Sequence, residues 1–276
     1  MRMPNMMPKA LVGTVIILSS VFLIPALSGA KDDVIPSTWA PQPPKIDGAS
    51  DDWTKTTLSR WDKGNVDFGF CNDAHNLYAI LIFKNAKYLS TIERTGINLY
   101  FSAAGKKNKD YGILFRKKLV SAEETIAMIE KQKPLSEEQK AQLRTKPEYN
   151  IYHSEVINKN AGSKEIPPEE TSRLALFRYA PQQKTLVYEF AVPLERVNEL
   201  AAGVGVRPGE AVTVGFEWGG ATEAQMKRAA RMSGNVSIAN EEVSRGSVEG
   251  IARPRGPSLP PKYSFWATVK LAASAE

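Results

Sequence analysis

The stretch Val66-Asp67-Phe68-Gly69-Phe70-Cys71-Asn72-Asp73-Ala74-His75-Asn76-Leu77-Tyr78-Ala79-Ile80-Leu81-Ile82-Phe83 decides the fold. Val66, Phe68 and Phe70 alternate with Asp67, Gly69 and Cys71, which is the period of a strand. Asn72 to Asn76 is a run of polar and small residues that turns the chain. Leu77, Ala79, Leu81 and Phe83 then alternate with Tyr78, Ile80 and Ile82. Two such runs joined by a short turn predict a β-hairpin. Both faces of the second strand are apolar, so it is expected in the middle of a sheet, covered on both sides.

The same alternation recurs outward from this hairpin. Ile97, Leu99 and Phe101 form one run, and Tyr111, Ile113 and Phe115 another. Arg173 to Tyr179 and Thr185 to Val192 flank Ala180-Pro181-Gln182-Gln183, which predicts a second hairpin. Val212, Val214, Phe216 and Trp218 form a further run, and Phe265, Ala267, Val269 and Leu271 close the series. Many short alternating strands predict an all-β fold, an antiparallel β-sandwich of the immunoglobulin or jelly-roll kind. Helix is expected in islands. Ser121-Ala122-Glu123-Glu124 and Ser136-Glu137-Glu138-Gln139 both fit a capping box. With Pro134 between them, they predict a helical insertion over about 119–145. Thr222-Glu223-Ala224-Gln225 opens a short helix in the C-terminal half. Residues 233–262, with four glycines and four prolines, read as a long irregular loop.

Ahead of these strands, residues 1–30 read as a signal peptide. Arg2 and Lys9 precede an apolar run from Ala10 to Ile24. Pro25 breaks it, and Ser28-Gly29-Ala30 supplies the small residues of a cleavage site before Lys31-Asp32-Asp33. About fifteen apolar residues are short of the roughly twenty a spanning helix needs. The expectation is therefore a periplasmic or extracellular protein with no membrane span after cleavage. A lipid anchor is excluded because position 30 is Ala rather than Cys. Residues 31–44, with Pro36, Pro41, Pro43 and Pro44, read as an extended lead-in.

Composition excludes several classes of function. The chain carries 36 Lys+Arg against 30 Asp+Glu. Removing Arg2 and Lys9 leaves 34 against 30, a mild net charge of +4, and the dense basic runs, Lys106 to Lys109 and Arg116 to Lys118, sit beside expected strand ends. No nucleic-acid partner is expected. The single cysteine, Cys71, excludes an intramolecular disulfide, cysteine-rich zinc sites and iron–sulfur clusters. It reads as a buried small hydrophobe. No G-x-S-x-G occurs, and Gly203-Val204-Gly205 precedes a strand rather than opening a helix, so neither a hydrolase elbow nor a dinucleotide loop is present.

Certain landmarks recur in a telling order: Lys45-Ile46-Asp47-Gly48, then Asp51-Asp52-Trp53, then the hairpin with Asp73-Ala74-His75-Asn76-Leu77-Tyr78. Tyr188-Glu189-Phe190-Ala191-Val192-Pro193-Leu194 follows, then Val212 to Trp218, then Trp266-Ala267-Thr268-Val269-Lys270-Leu271. In this order the chain resembles the family 9 carbohydrate-binding modules and their wider group of DOMON-like β-sandwiches, over about 45–272. The resemblance implies a non-catalytic module that binds carbohydrate. It also implies calcium in many members, for which Asp51, Asp52 and Asp73 are the candidate oxygen ligands, although no D-x-D-x-D-G loop is present. Some relatives of the sandwich bind haem b. Here its axial ligands would come from His75, His153, Met128, Met226, Met232 or a lysine.

The residues themselves offer a platform for a sugar. A strand period of two places Trp266, Thr268 and Lys270 opposite Phe265, Ala267 and Val269, hence on an outer face. Trp39 and Trp61 lie in Pro-rich or polar surroundings and are further candidates for aromatic contact. Trp53 is expected to plug one end of the sandwich, and Pro193 to stop a strand with Leu194 starting a helical turn. The reading is an exported, non-catalytic binding protein for a carbohydrate or similar polar ligand, with no cofactor required. A haem-binding or redox sandwich, and a structural partner of another cell-envelope protein, stand as alternatives.

Overall fold

The computed structural model describes residues 34–85, 87–131, 133–160, 175–182, 184–222, 225–227 and 260–274. They belong to one compact unit, Asp32–Glu276. The expected leader at 1–30, Met232 and most of the loop at 233–262 lie outside the described residues.

Two six-stranded sheets face each other. Sheet I runs β1 (Val34–Pro36), β12 (Lys262–Lys270), β11 (Ala211–Gly219), β6 (Ile97–Ala103), β7 (Tyr111–Ser121), β8 (Glu148–Asn158). Sheet II runs β2 (Thr38–Trp39), β4 (Val66–Asn72), β5 (Asn76–Phe83), β10 (Thr185–Pro193), β9 (Leu176–Gln182), with β3 (Ser59–Trp61) paired to β4. All pairings are antiparallel except β1 with β12 and β2 with β4. The fold is thus an all-β sandwich. Val34–Pro36 and Thr38–Trp39 of the lead-in are extended strands, and the chain crosses from sheet I to sheet II at Ser37. There the Ser37 hydroxyl bonds the Asn72 side-chain carbonyl, and the Ala272 amide donates to both side-chain oxygens at 2.9 Å. This buried polar knot ties the two sheets together where the chain changes layer.

The alternating residues meet between the sheets. Phe68, Phe70, Leu81, Phe83, Ile97, Phe115, Phe190, Phe216, Trp218 and Phe265 are buried in one core. Many of its rings are stacked or edge-on and others are tilted, with Phe216 and Phe265 4.8 Å apart at 19°. Stacked and edge-on pairs are the geometry aromatic quadrupoles prefer. As its two apolar faces require, β5 is central in sheet II. Leu77, Leu81 and Phe83 enter the main core. Tyr78 and Ile80 form a second cluster with Cys71, Val187, Ala191 and Trp53.

Several expectations are corrected. Trp53 does not plug an end of the sandwich; it covers the outer face of sheet II. The end is closed instead by α1 (Lys87–Thr95), which links β5 to β6. Its Tyr88 packs against Phe83, Trp218 and Tyr263. The second hairpin is present as β9–β10, but Ala180-Pro181-Gln182 is not its turn, because β9 runs through these residues and pairs Gln182 with Thr185. Pro181 is tolerated there because β9 is an edge strand. Leu194 begins no helix. Its amide donates to the His75 carbonyl at 2.7 Å, and its own carbonyl accepts from Gly205. The loop at 233–262 ends earlier than expected, since Lys262 is already in β12.

The helical insertion is present at the tip of the long β7–β8 hairpin, as α2 (Ala122–Glu130) and α3 (Glu137–Arg144). Both capping boxes form, at Ser121 with Glu124 and at Ser136 with Gln139. The Thr222–Gln225 pair makes the same reciprocal bonds. Among the described residues, no helix is long and apolar enough to cross a membrane.

Candidate functional site

The outer face of sheet I carries an aromatic and polar surface assembled from four strands. Register places Trp266 beside Gly215, and Gly215 beside Tyr100, which faces Gly112. The two glycines leave room for rings to lie down on the sheet. A Cβ on Gly215 would sit 2.5–2.7 Å from three carbons of the Trp266 ring, and one on Gly112 would be 2.7 Å from the Tyr100 ring. The rings of Trp266 and Tyr100 are near-parallel, with centroids 6.2 Å apart and planes at 26°. Tyr100 is buried, whereas Trp266 is half-buried and is the member that reaches solvent.

Next to this pair lies a carboxylate that belongs to the same face. Glu217 is two residues along β11 from Gly215, with a side chain only 4% exposed. It accepts bonds from the Tyr100 hydroxyl at 3.3 Å, from the Lys262 ammonium at 2.8 Å, and from the Lys109 ammonium. Burial alone would push this carboxyl up. The two ammoniums outweigh burial and hold it below the usual carboxylate range. Tyr100 is driven the other way, first by burial and then by the negative charge of Glu217. The Lys109 ammonium also sits 5.7 Å over the Tyr100 ring. Beyond Glu217 the face opens into a polar cleft of about 260 Å³, with Asn98, Arg94, Thr95, Arg116, Lys262 and Thr222 among its walls.

The expected platform residues are therefore only partly together. Trp266 is on the outer face, as the strand period requires. Thr268 is on the same face but 6% exposed. Its hydroxyl is 3.1 Å from that of Thr213, which accepts from the Gly105 amide at 2.8 Å, because the β6–β7 loop folds over this end of the sheet. Thr268 is thereby corrected from a ligand contact to a covered residue. Lys270 is exposed at the far end of β12, away from the cleft. Trp61 stacks on Phe265 at 5.0 Å and lies edge-on to Trp218, so it extends the main core. Trp39 pairs with Asn72 at the edge of sheet II. Neither shares a face with Trp266. Tyr100, Gly215, Glu217, Lys109 and Lys262 were not singled out from sequence. The usable signal was the glycine at the outward position of an otherwise alternating strand, Val214-Gly215-Phe216.

Two of the three aspartates serve the local backbone. Asp52 accepts from the Lys45 amide at 2.7 Å. Asp73 caps its turn by accepting from the His75 and Asn76 amides at 2.6 Å and from the Tyr78 hydroxyl at 2.7 Å. Asp51 is exposed in a short 3-10 turn. Among the described residues, no three His, Cys, Asp or Glu side chains are grouped to hold a metal ion. Of the residues named for haem, His75 lies in the β4–β5 turn, His153 on edge strand β8, Met128 on α2, and Met226 is exposed. Cys71 is buried, and burial pushes its thiol up to about 12.

A second carboxylate has a structural task. Glu189, fully buried on the outer face of sheet II, accepts from the amides of Asp47 and Gly48 at 2.9 and 2.6 Å and from the Trp53 indole. It joins two of the sequence landmarks, the Asp47-Gly48 turn and Trp53, to the β10 strand. Burial raises its carboxyl above the ordinary value against the pull of these three donors.

No family model matches the chain, and no curated protein does. Among solved structures it is similar to a family 9 carbohydrate-binding module from Caldicellulosiruptor kristjanssonii in complex with cellotriose. Identity is 11%, coverage 67% of this chain and 76% of that one, and the TM-score 0.34. A family 9 carbohydrate-binding module from the same organism in complex with glucose gives 9% identity, 70% and 81% coverage, and a TM-score of 0.33. The resemblance is weak and carries nothing about the ligand of this chain.

Proposed function

We propose that this chain is an exported binding protein that accepts a carbohydrate on the outer face of sheet I. The observation that carries the reading is the half-buried Trp266 indole, laid flat over Gly215 against Tyr100 and bordered by the Glu217 cleft. A pyranose needs an aromatic surface for its C–H face and oriented polar groups for its hydroxyls. Trp266 supplies the first. Asn98, Lys262 and the cleft walls supply the second. Export rests on the leader read in residues 1–30.

The test is Trp266→Ala. Truncating a fully buried Trp costs roughly 3–5 kcal/mol, so a half-buried one should cost about half of that. The variant should stay folded and lose the glycans that the wild type retains on an array, with titration of the best of them as confirmation. A wild type that retains no glycan, or a variant that binds as the wild type does, refutes the proposal.

A further inference from the structure

The cleft beside Trp266 has more positive charge than its own carboxylates use. Among the described residues, its walls include Arg94, Arg116 and Lys262 against a single acid, Glu217. Glu217 is held by two ammoniums, since Lys109 joins Lys262 on it. One carboxylate neutralises one of them, and a surplus charge remains. Lys262 is 57% exposed and Lys109 38%, and an ammonium has three donors, so each keeps donors for a further acceptor. Arg116 donates from Nη2 to Glu155 at 3.0 Å, which balances its charge, while its buried Nε has no acceptor. Arg94 forms no ion pair among the described residues. Counting Lys109 and Glu155, which pair with wall residues, four cations thus stand against two carboxylates among the described residues, a formal surplus of +2. The carbonyl end of α1, where Arg94 sits, offsets at most about half a charge of that.

The position of this surplus matters as much as its size. Glu217 is two residues from Gly215 on β11, and on β12 Ser264 lies two and Lys262 four residues before Trp266. Two residues of strand span about 6.6–6.8 Å, which is the scale of one sugar unit. A ring seated on Trp266 therefore projects its next substituent, or the adjoining residue of a chain, toward Glu217 and the two ammoniums on it, with Arg94 in the cleft wall beyond. A neutral hydroxyl there would leave the excess cations without a counter-charge. A carboxylate or sulfate would meet them.

Resting on the carbohydrate reading above, we infer that the ligand is an acidic saccharide, whose ring stacks on Trp266 and whose anionic group enters the cleft toward Lys262 and Arg94. The carboxylate and the sulfate ester share this chemistry, and separate probes distinguish them.

The experiment is calorimetric titration of the full mature chain with oligogalacturonate and oligomannuronate, each beside its carboxyl-reduced neutral counterpart. A sulfated galacto-oligosaccharide, a neutral cello-oligosaccharide and inorganic sulfate complete the set. An exposed ion pair contributes roughly two- to fivefold in affinity, so two cations should favour an acidic probe by about tenfold over its neutral partner. That preference should shrink as salt is raised. The double variant Arg94→Gln/Lys262→Gln should weaken the acidic probe about tenfold more than its neutral counterpart, so that the two then bind alike. Trp266→Ala should lose both. Preference for a uronate names the carboxylate as the anion, and preference for the sulfated probe names the sulfate. If charged and neutral partners bind alike, or only the cello-oligosaccharide binds, this inference fails while the carbohydrate reading stands. If no saccharide binds, both fail. If Trp266→Ala keeps the acidic probe and inorganic sulfate displaces it fully, the cleft is a plain anion site and the inference fails.

Discussion

Gly215→Ala separates the posture of Trp266 from its presence. The added Cβ would lie 2.5, 2.6 and 2.7 Å from three carbons of the indole, where ordinary contact begins at 3.4 Å. The ring must lift by at least 3.4 minus 2.5, or 0.9 Å. It can do so, because the carbons in the way are the far end of a side chain and Gly215 has no positive φ that an alanine would resent. A gap of 0.5–1 Å forfeits about a quarter to a half of a dispersion contact. Applied to a half-buried Trp, worth about half of the 3–5 kcal/mol of a buried one, the loss is of the order of 1 kcal/mol or less. Replacing Gly by Ala inside a strand returns roughly 0.5–1 kcal/mol. Net stability should therefore move by less than about 1 kcal/mol, or about 2–4 °C in melting temperature for a domain of this size. The sugar platform should nevertheless be tilted and glycan affinity should fall. The fluorine resonance of a 5-fluorotryptophan at position 266 would report the changed posture, beside a melting curve and a glycan titration. Unchanged affinity with a shifted resonance would refute the idea that the flat ring is the platform. A loss above about 3 kcal/mol, the range of a core truncation, would show that Trp266 holds the sheet together instead.

Glu189→Gln should cost about 1–3 kcal/mol in urea unfolding, the penalty of an unsatisfied buried donor, because an amide NH2 then faces one of three N–H groups that the carboxylate accepts. Most of that cost should vanish in a Trp53→Phe background, and simple additivity would disprove the shared bond. Glu217→Gln should show a pH dependence of one sign. The folded carboxyl lies below its unfolded value of 4.5, so its contribution is present above 4.5 and is lost as pH falls through the folded value. The stability gap between wild type and variant should be widest near neutrality and close on acidification; a gap that grows below 4.5 would contradict the Lys109 and Lys262 pairing.

The fold was legible wherever one strand carries its own pattern. β4, β5, β6, β10, β11 and β12 alternate cleanly, and each has one face in the main core. The capping boxes were legible because a Ser and a Glu or Gln three residues on satisfy each other locally. What escaped has physical reasons. β8 is half-exposed along its whole length, so neither face has to be apolar and no alternation marks it. In α1, Tyr88, Leu89 and Ile92 share a face, but the helix is only nine residues long and is set by the Trp218 and Phe83 rings it covers. Pro181 looked like a turn residue because sequence does not tell an edge strand from a loop. Trp53 was read as buried, and it is, but its place depends on a carboxylate 136 residues away.

The site was legible to the extent that one strand could supply it. Period two along β12 puts Trp266 on the outer face without reference to any other strand, and Trp266 is there. The same rule gave Thr268 and Lys270 as its partners, and this is where reading along a strand ran out. Neighbours on a sheet face lie across strands, one hydrogen-bonded step away, as well as along them. Tyr100, Gly215 and Glu217 come from two other strands, separated from Trp266 by up to 166 positions in sequence, counting from 100 to 266. Their proximity follows from a strand order, β12-β11-β6, that alternation alone does not encode. Charge adds a second reason. Lys109 belongs to a basic run, Lys106 to Lys109, that reads as solvated surface. The β6–β7 loop brings that run back over the sheet, where Gly105 bonds Thr213 and Lys109 reaches Glu217. A lysine that looked like bulk charge is thereby one of two cations on a buried acid. The positive character of the cleft is a property of the folded face, and the titration of acidic against neutral saccharides addresses that face directly.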